Sequence, residues 1–379
     1  MRGKRTAFFP DRYLQGLMRL LRYKFLAALL IGLLAAQGCV RDPAGVEYKT
    51  PVSAGTGIYV LNEGLFGRDN SSLTFYDRRT GEVVHGFFQK MNPGLRLGDT
   101  ANSMTVYGGQ AFIVMNGSNT IEIMDLQTAR SLGRIRLDGN PSPREAVILS
   151  DTLGYVTALY SDEVIRFHPA KMTVTGRVKV GPAPEGMVVA HNYLFVANSG
   201  LGDIRASEAG AGTVSVIDLL SEQERLRLPV LPNCTRVARG PDGLVYVAGT
   251  GSYTKTVPTG IAVIDPVRLA VIDTIRIEDH PGDFVLARNG FGYVLTDSAV
   301  VQFNWQTRTV TDARFIPRDR VDARGWLYAL ALDEARGELL VANARNFTTN
   351  GEVVVFDLNG DMKFRFETRL NPGTIVLFP

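Results

Sequence analysis

Tyr193-Leu194-Phe195-Val196-Ala197 and Thr213-Val214-Ser215-Val216-Ile217-Asp218 are two short apolar stretches joined by a polar segment, and the second ends in aspartate. Both are rich in the β-branched and aromatic residues that favour strands. Met187 to Ala190 ahead of them is also apolar, and Glu224 to Leu228 after them alternates between polar and apolar residues, as a half-buried strand does. These residues therefore predict one unit of four strands.

The pair of apolar stretches occurs seven times along the chain. The second member of each pair ends at an aspartate or at a residue that replaces it, at intervals of 39 to 53 residues. Strand-rich repeats of about 40–50 residues are typical of propeller blades. We predict an all-β, seven-bladed β-propeller over residues 57–379, in which these residues fix hairpin turns and do not bind a metal. The seven are Asp77, Asp125, His168, Asp218, Asp265, Asn304 and Asp357.

The two ends of the repeat region each supply part of a blade. Ile58 to Leu61 has the pattern of a second strand with no first strand ahead of it, and Thr374 to Phe378 that of a first strand with no blade after it. Pairing of the C-terminal strand into blade one would complete the ring and remove its open edges. We predict closure of the ring by this strand.

The N-terminus has the pattern of an export signal. An apolar run of 12 residues, Phe25 to Ala36, follows a basic flank and leads into Gln37-Gly38-Cys39. The run is shorter than the ~20 residues of a spanning helix and has the proportions of a secretory signal. Its end resembles the lipobox of bacterial lipoproteins. The prediction is a lipoprotein signal peptide over 1–38, with Met18 as an alternative start, and a lipidated Cys39 that begins a flexible tether over 39–56. An ordinary signal peptide with an incidental cysteine is the alternative.

Charge and cysteine content exclude two classes of protein. The formal charge is +3, but residues 1–38 hold seven basic side chains and one acidic one, so the remainder carries 3 − 6 = −3. A mildly acidic body gives no electrostatic footprint for nucleic acid. Cys234 is the one cysteine besides Cys39, so we predict a buried thiol and no disulfide framework.

Candidate binding residues lie in the long loops of one face. A propeller gathers on one face the loops between second and third strands and the loops that lead into each first strand. Long loops on a rigid scaffold commonly carry function, and aromatic rings beside amides and guanidinium groups suit a broad polar ligand with flat faces. The long loops are 62–71, 198–212, 249–259, 343–351, 90–103 and 317–326. The candidate ligand-binding residues that they supply are Phe66, Arg68, Arg205, Tyr253, Trp326, Arg345, Asn346 and Phe347.

A second set of candidates should rim the central channel, because they occupy a repeated position just before or within each first strand. Their charges either pair across a water-filled tunnel or hold a ligand. Arg144 and Glu185 from this set complete the candidate ligand-binding residues. The full set is Asn102, Arg144, Glu145, Glu185, Thr235, Asp283 and Trp326.

Signals for catalysis are weak. The four histidines show no metal-ligand spacing, and the chain has no Gly-x-Ser-x-Gly or Cys-x-x-Cys motif. We therefore predict a binding protein with no catalytic residue, no metal and no cofactor.

The repeat, the lipobox and the pattern Tyr-Val-x-Asn followed by Val-x-Val-Ile-Asp resemble the YncE-type seven-bladed propellers. Val60 to Gly64 with Asn70 to Asp77 is similar to the opening blade of propeller lipoproteins from Bacteroidetes-type bacteria. Some of those lie on the outer membrane and capture cobalamin for a TonB-dependent transporter.

The resemblance implies a non-catalytic outer-membrane lipoprotein, at the cell surface or facing the periplasm. It would capture a corrinoid or similar nutrient beside such a transporter. The alternatives are a protein-interaction scaffold in the cell envelope and a propeller lactonase or lyase.

Overall fold

Strands dominate the computed structural model, which describes residues 57–377; the predicted signal peptide, Cys39 and tether lie outside this range. The strands form seven four-stranded antiparallel sheets arranged as the blades of one propeller. Six sheets follow chain order, and the seventh has the C-terminal strand beside the first one. The predicted seven-bladed fold and its closure by the C-terminal strand are confirmed.

Each blade consists of four strands, and each strand pairs with the one named after it. Blade 1 holds β28 (Pro372–Leu377), β1 (Gly57–Asn62), β2 (Ser72–Asp77) and β3 (Val83–Val84). Blade 2 holds β4 (Ala101–Tyr107), β5 (Gln110–Met115), β6 (Thr120–Asp125) and β7 (Ser131–Arg136). Blade 3 holds β8 (Pro143–Ser150), β9 (Leu153–Ala158), β10 (Glu163–His168) and β11 (Thr173–Lys179). Blade 4 holds β12 (Pro184–Ala190), β13 (Tyr193–Asn198), β14 (Thr213–Asp218) and β15 (Gln223–Pro229).

The remaining blades have the same organisation. Blade 5 holds β16 (Cys234–Arg239), β17 (Val245–Gly249), β18 (Gly260–Asp265) and β19 (Ala270–Arg276). Blade 6 holds β20 (Phe284–Leu286), β21 (Phe291–Leu295), β22 (Ala299–Asn304) and β23 (Thr309–Pro317). Blade 7 holds β24 (Leu327–Asp333), β25 (Glu338–Asn343), β26 (Asn350–Asp357) and β27 (Met362–Leu370).

Two short helices interrupt stretches that the sequence predicted to be loops. Helix α1 (Phe87–Met91) overlaps the start of the predicted loop 90–103, whose last residues already belong to β4. Helix α2 (Arg318–Asp322) occupies the middle of the predicted loop 317–326. No helix within residues 57–377 is long and apolar enough to cross a membrane.

The hydrophobic core lies between neighbouring blades. Second strands such as β25 are buried along their whole length, because a blade covers each of their faces, whereas the outer strand β15 alternates between exposed and half-buried residues. One core cluster, for example, joins Phe195 of blade 4 to Val247 of blade 5. This explains why continuous apolar runs mark the second strands in the sequence.

The turn residues act as the sequence predicted. Each of the seven accepts hydrogen bonds from backbone N–H groups two to four residues later, which fixes the hairpin turn. Asp218 Oδ1, for instance, accepts from the N–H groups of Leu220 and Ser221 at 2.8 and 3.0 Å. His168 does so through Nδ1 and Asn304 through Oδ1, so both replace aspartate chemically.

One glycine in the core of blade 3 gives a stability prediction. A Cβ on Gly154 would lie 2.5 Å from Cζ of Phe167, on the paired strand. We expect Gly154→Ala to lower the free energy of unfolding by about 1–3 kcal/mol, because the packed ring cannot move away. Gly176→Ala is the matched control in the same blade, since its nearest neighbour would be 3.5 Å away. Chemical denaturation measures both; equal stability of the two variants would contradict the prediction.

Candidate functional site

A cavity of about 410 Å³ lies inside the ring, between the innermost strands of the blades. This volume is within the range of about 300–1,000 Å³ that is usual for small-molecule sites. Six charged side chains line it: Glu63, Arg144, Glu145, Glu185, Arg236 and Asp283. The predicted channel residues Asn102 and Thr235 line it as well.

Repeated β-bulges explain how so many polar groups reach one cavity. The register of β8 against β9 shifts between Pro143 and Ala146, and that of β12 against β13 shifts between Pro184 and Met187. Successive side chains of a regular strand point to opposite faces, but a bulge re-aims them. Consecutive residues such as Arg144 and Glu145 therefore both line the cavity.

Two arginines contact the acidic side chains of the cavity. Arg144 Nε donates to Glu185 Oε2 at 2.7 Å, and its Nη1 also donates to Asn102 Oδ1. Arg236 Nε lies 2.9 Å from Asp283 Oδ1, as an ion pair without the angles of a hydrogen bond, and its Nη1 lies 3.6 Å from Glu145 Oε2. Each guanidinium thus faces two oxygen-bearing side chains, and the four carboxyl groups outnumber the two cations.

Burial in the cavity changes the ionisation of two glutamates. Burial raises the pKa of Glu63 to about 7, although Arg144 and a hydrogen bond from Tyr328 act in the opposite direction. Burial and the nearby Asp283 likewise raise the pKa of Glu145 to about 7, against the effect of Arg236. Both carboxyl groups therefore exchange protons near neutral pH.

Aromatic side chains stand next to this charged wall. The ring of Phe347 lies 5.9 Å from that of Trp326 and 5.5 Å from that of Tyr328, edge to face in the second case. The Tyr328 hydroxyl donates to Glu63 Oε2 at 2.9 Å, and Tyr328 lines the cavity. Trp326, Phe347 and Tyr328 form what we call the aromatic wall, which is continuous with the buried carboxyl groups.

The structure brings four of the predicted ligand-binding residues into this region. Arg144 and Glu185 form an ion pair in the cavity, and Trp326 and Phe347 form part of the aromatic wall. Phe66 and Arg68 lie exposed in the loop between β1 and β2, and Phe66 is 76% exposed.

Three other predicted residues are engaged in local contacts. Arg205 pairs with Asp162 and Glu208. Arg345 lies 3.6 Å from Glu352 and from Glu367, on the third and fourth strands of blade 7. Asn346 Oδ1 accepts the backbone N–H of Thr348 and of Thr349, as a turn residue does.

Tyr253, the remaining predicted residue, lies against His280 outside the cavity lining. Their ring centroids are 4.0 Å apart and their planes are inclined by 21°.

Cys234 is buried and unpaired as predicted, and burial raises the pKa of its thiol to about 12. A thiol that stays protonated is a structural one.

The sequence predicted Trp326 on the channel rim, but Tyr328 lines the cavity there. The prediction was therefore wrong by two residues. Leu327 pairs with Asn343 as Pro184 pairs with Asn198, which makes Tyr328 the equivalent of Glu185. The asparagines that end the two second strands were a signal for this register.

Sequence reasoning also missed Glu63. It follows the last residue of β1, and in residues 57–377 it is the one acidic residue at this place in a blade. The other blades have Asn116, Leu159, Ser199, Thr250, Thr296 and Ala344 there. A comparison of blades position by position would have identified it.

Fold and site together define a seven-bladed β-propeller with a polar, aromatic-flanked cavity in its channel. The family model described as "Domain of unknown function (DUF5074)" matches residues 56–258, more than half of the 379-residue chain. The chain belongs to this family. No curated protein matches it.

Solved structures resemble the chain at low identity. The quinonprotein alcohol dehydrogenase-like protein of Bacteroides thetaiotaomicron is 15% identical with a TM-score of 0.66, covering 87% of this chain and 80% of that one. AztD of Citrobacter koseri is 14% identical with a TM-score of 0.52, covering 85% and 98%. Virginiamycin B lyase of Staphylococcus aureus is 12% identical with a TM-score of 0.55, covering 70% and 83%. At these identities the likeness is one of fold.

Proposed function

We propose that the propeller binds a small molecule at the mouth of its channel and releases it unchanged. The observation that carries the proposal is the continuity of the aromatic wall with the cavity, through the hydrogen bond from Tyr328 to Glu63. Rings supply flat apolar contact, and the arginines and carboxyl groups supply both donors and acceptors. This combination suits a neutral ligand that has a flat face and amide or hydroxyl groups.

A corrinoid is our first candidate for the ligand. It is a flat macrocycle whose edge carries carboxamide groups, which both donate and accept hydrogen bonds. Arg144 can donate to an amide oxygen, and Glu145 can accept from an amide N–H. The macrocycle would rest on the aromatic wall while its amides enter the cavity. Capture for a TonB-dependent transporter, on an outer membrane reached through lipidation of Cys39, is part of this proposal.

The test is thermal unfolding of the full-length chain with and without cobalamin. A ligand that binds only the folded state raises the midpoint by an amount set by mass action. Phe347→Ala should weaken binding about tenfold or more, since about 1.4 kcal/mol of lost contact has this effect. Leu220→Ala is the control: Leu220 is 85% exposed in the turn between β14 and β15, at the other end of the blade. No shift at cobalamin concentrations far above micromolar would exclude the corrinoid.

A protein-docking role is the second candidate. Several large apolar side chains are exposed in loops of the face that holds the cavity mouth, among them Phe66 (76%), Ile204 (78%) and Tyr253 (60%). Exposed apolar groups that share a face favour a protein partner. Retention of the chain by a purified transporter without cobalamin, and its loss in Ile204→Asp, would favour docking over capture.

A further inference from the structure

A cluster in the loops of blade 6 combines one imidazole with two carboxylates. Asp279 and His280 lie in the connection from β19 to β20, and Asp297 lies in the turn between β21 and β22. One ligand atom from each of the three lies within 4.8 Å of the others. No motif in the chain indicates this cluster, because Asp297 is distant in sequence and the spacing is not that of a local metal motif.

The contacts of the imidazole are not satisfied by a neutral ring. His280 Nδ1 lies 3.0 Å from Asp297 Oδ2, and Nε2 lies 3.3 Å from the carbonyl oxygen of Ser252 in blade 5. A neutral imidazole has a single N–H, so one nitrogen would face an oxygen with no proton between them. A cation at the Nδ1 side removes this conflict, whether it is a second proton or a metal ion.

The surroundings of the cluster favour the metal ion. Nε2–H can donate to the Ser252 carbonyl, which leaves the Nδ1 lone pair directed at Asp297. Histidines that bind metals are held in this way, by a hydrogen bond from the other ring nitrogen to a carbonyl or carboxylate.

Each carboxylate is also held through one oxygen and leaves the other for a ligand. Tyr253 donates from its hydroxyl to Asp297 Oδ1 at 3.3 Å, and the Ser298 N–H donates to Asp279 Oδ2 at 2.8 Å. The Tyr253 ring, stacked on His280, fixes the plane of the imidazole. A proton would satisfy one contact, whereas a metal ion would join all three side chains.

We propose that Asp279, His280 and Asp297 form a binding site for a divalent transition metal, with zinc as the best fit. Zinc accepts one nitrogen and two oxygen ligands at about 2.0–2.2 Å. Three protein ligands leave a fourth position, open to water or to a group of a bound partner. This site is separate from the cavity and does not depend on what the cavity binds.

Equilibrium dialysis of the full-length chain against ZnCl₂ tests the proposal. We expect one zinc ion per chain, and a Kd that rises more than about 100-fold in His280→Ala, since loss of even an indirect partner of a metal ligand costs 10–100-fold. His191→Ala is the matched control, because His191 is exposed in the hairpin between β12 and β13. Asp279→Asn is a second variant that keeps an acceptor for Ser298, and we expect it to weaken zinc binding while folding normally.

Co²⁺ gives an independent readout. Bound at three protein ligands and one water, it should show the visible absorption of a tetrahedral site in the wild-type chain and not in His280→Ala. The proposal is overturned if His280→Ala and His191→Ala bind zinc equally well. It is also overturned if Mg²⁺ or Ca²⁺ displaces zinc at similar concentration, because the cluster would then act as a hard, carboxylate-only site.

Discussion

Removal of residues 371–379 is expected to abolish the cooperative unfolding of the whole propeller. Strand β28 pairs with β1 from Ile58–Leu377 to Asn62–Pro372, and Ile375 and Leu377 pack in the core between blades 7 and 1. The backbone N–H of Glu63 also donates to the Asn371 carbonyl at 2.9 Å. Without these residues the edge of β1 is open and the ring loses its closure.

The free energy that is lost with this strand should exceed the free energy of unfolding of the intact chain. Native domains are stable by only about 5–15 kcal/mol, and the deletion removes a full strand with its share of the core. Far-UV circular dichroism in increasing denaturant measures the outcome as loss of a sigmoidal transition. The control is a Gly-Ser insertion between Ala206 and Ser207, two exposed residues of the β13–β14 loop. A truncated chain that unfolds cooperatively near the wild-type midpoint would show that closure is dispensable.

Stability is expected to fall as pH rises from about 5 to 8. The pKa values of Glu63 and Glu145 rise from 4.5 to about 7 on folding. Between these values the folded chain keeps protons that the unfolded chain has released, so unfolding releases protons and higher pH favours it. Each pKa unit corresponds to about 1.36 kcal/mol, which for the two groups gives a total on the order of a few kcal/mol. Below about pH 3.5, where the folded and the unfolded chain both keep these protons, the two groups contribute no slope.

Glu63→Gln and Glu145→Gln isolate this effect. Glutamine is neutral at every pH, and at position 63 it keeps an acceptor for the Tyr328 hydroxyl. The free energy of unfolding of each variant, relative to the wild type, should therefore rise between pH 5 and pH 8. Glu367→Gln is the control, since the Glu367 side chain is 68% exposed. Denaturation curves at several pH values measure the slope. Variants with the wild-type slope would mean that Glu63 and Glu145 are ionised throughout this range.

The cavity residues show where prediction from sequence ends. The sequence predicts Arg144 and Glu185 on the channel because they occupy a repeated position, and repetition is visible in the chain. It does not predict Glu63 and Tyr328 there, because they meet across a sequence separation of 265 residues. Their contact depends on the closing strand and on the register of β24.

The second cluster shows the same limit for a different reason. Sequence motifs reveal partners that are near in the chain, whereas the contacts of His280 come from Ser252 in a loop of blade 5 and from Asp297 in the turn between β21 and β22. The ring of Tyr253 and its long loop suggest a ligand contact, and the structure stacks this ring on His280. Loop side chains of adjacent blades meet only after the blades are packed.

Local patterns in the chain are sufficient to establish the architecture of this protein. Seven repeats, the turn residue of each hairpin and the incomplete blades at the two ends are such patterns, and local hydrogen bonds and strand burial make them hold wherever they occur. Three-dimensional packing was needed to establish which side chains meet in the channel, and that burial there raises the pKa of two glutamates. Those properties depend on bulges, strand register and ring closure, which act between residues far apart in the chain and are not encoded in any short segment of it.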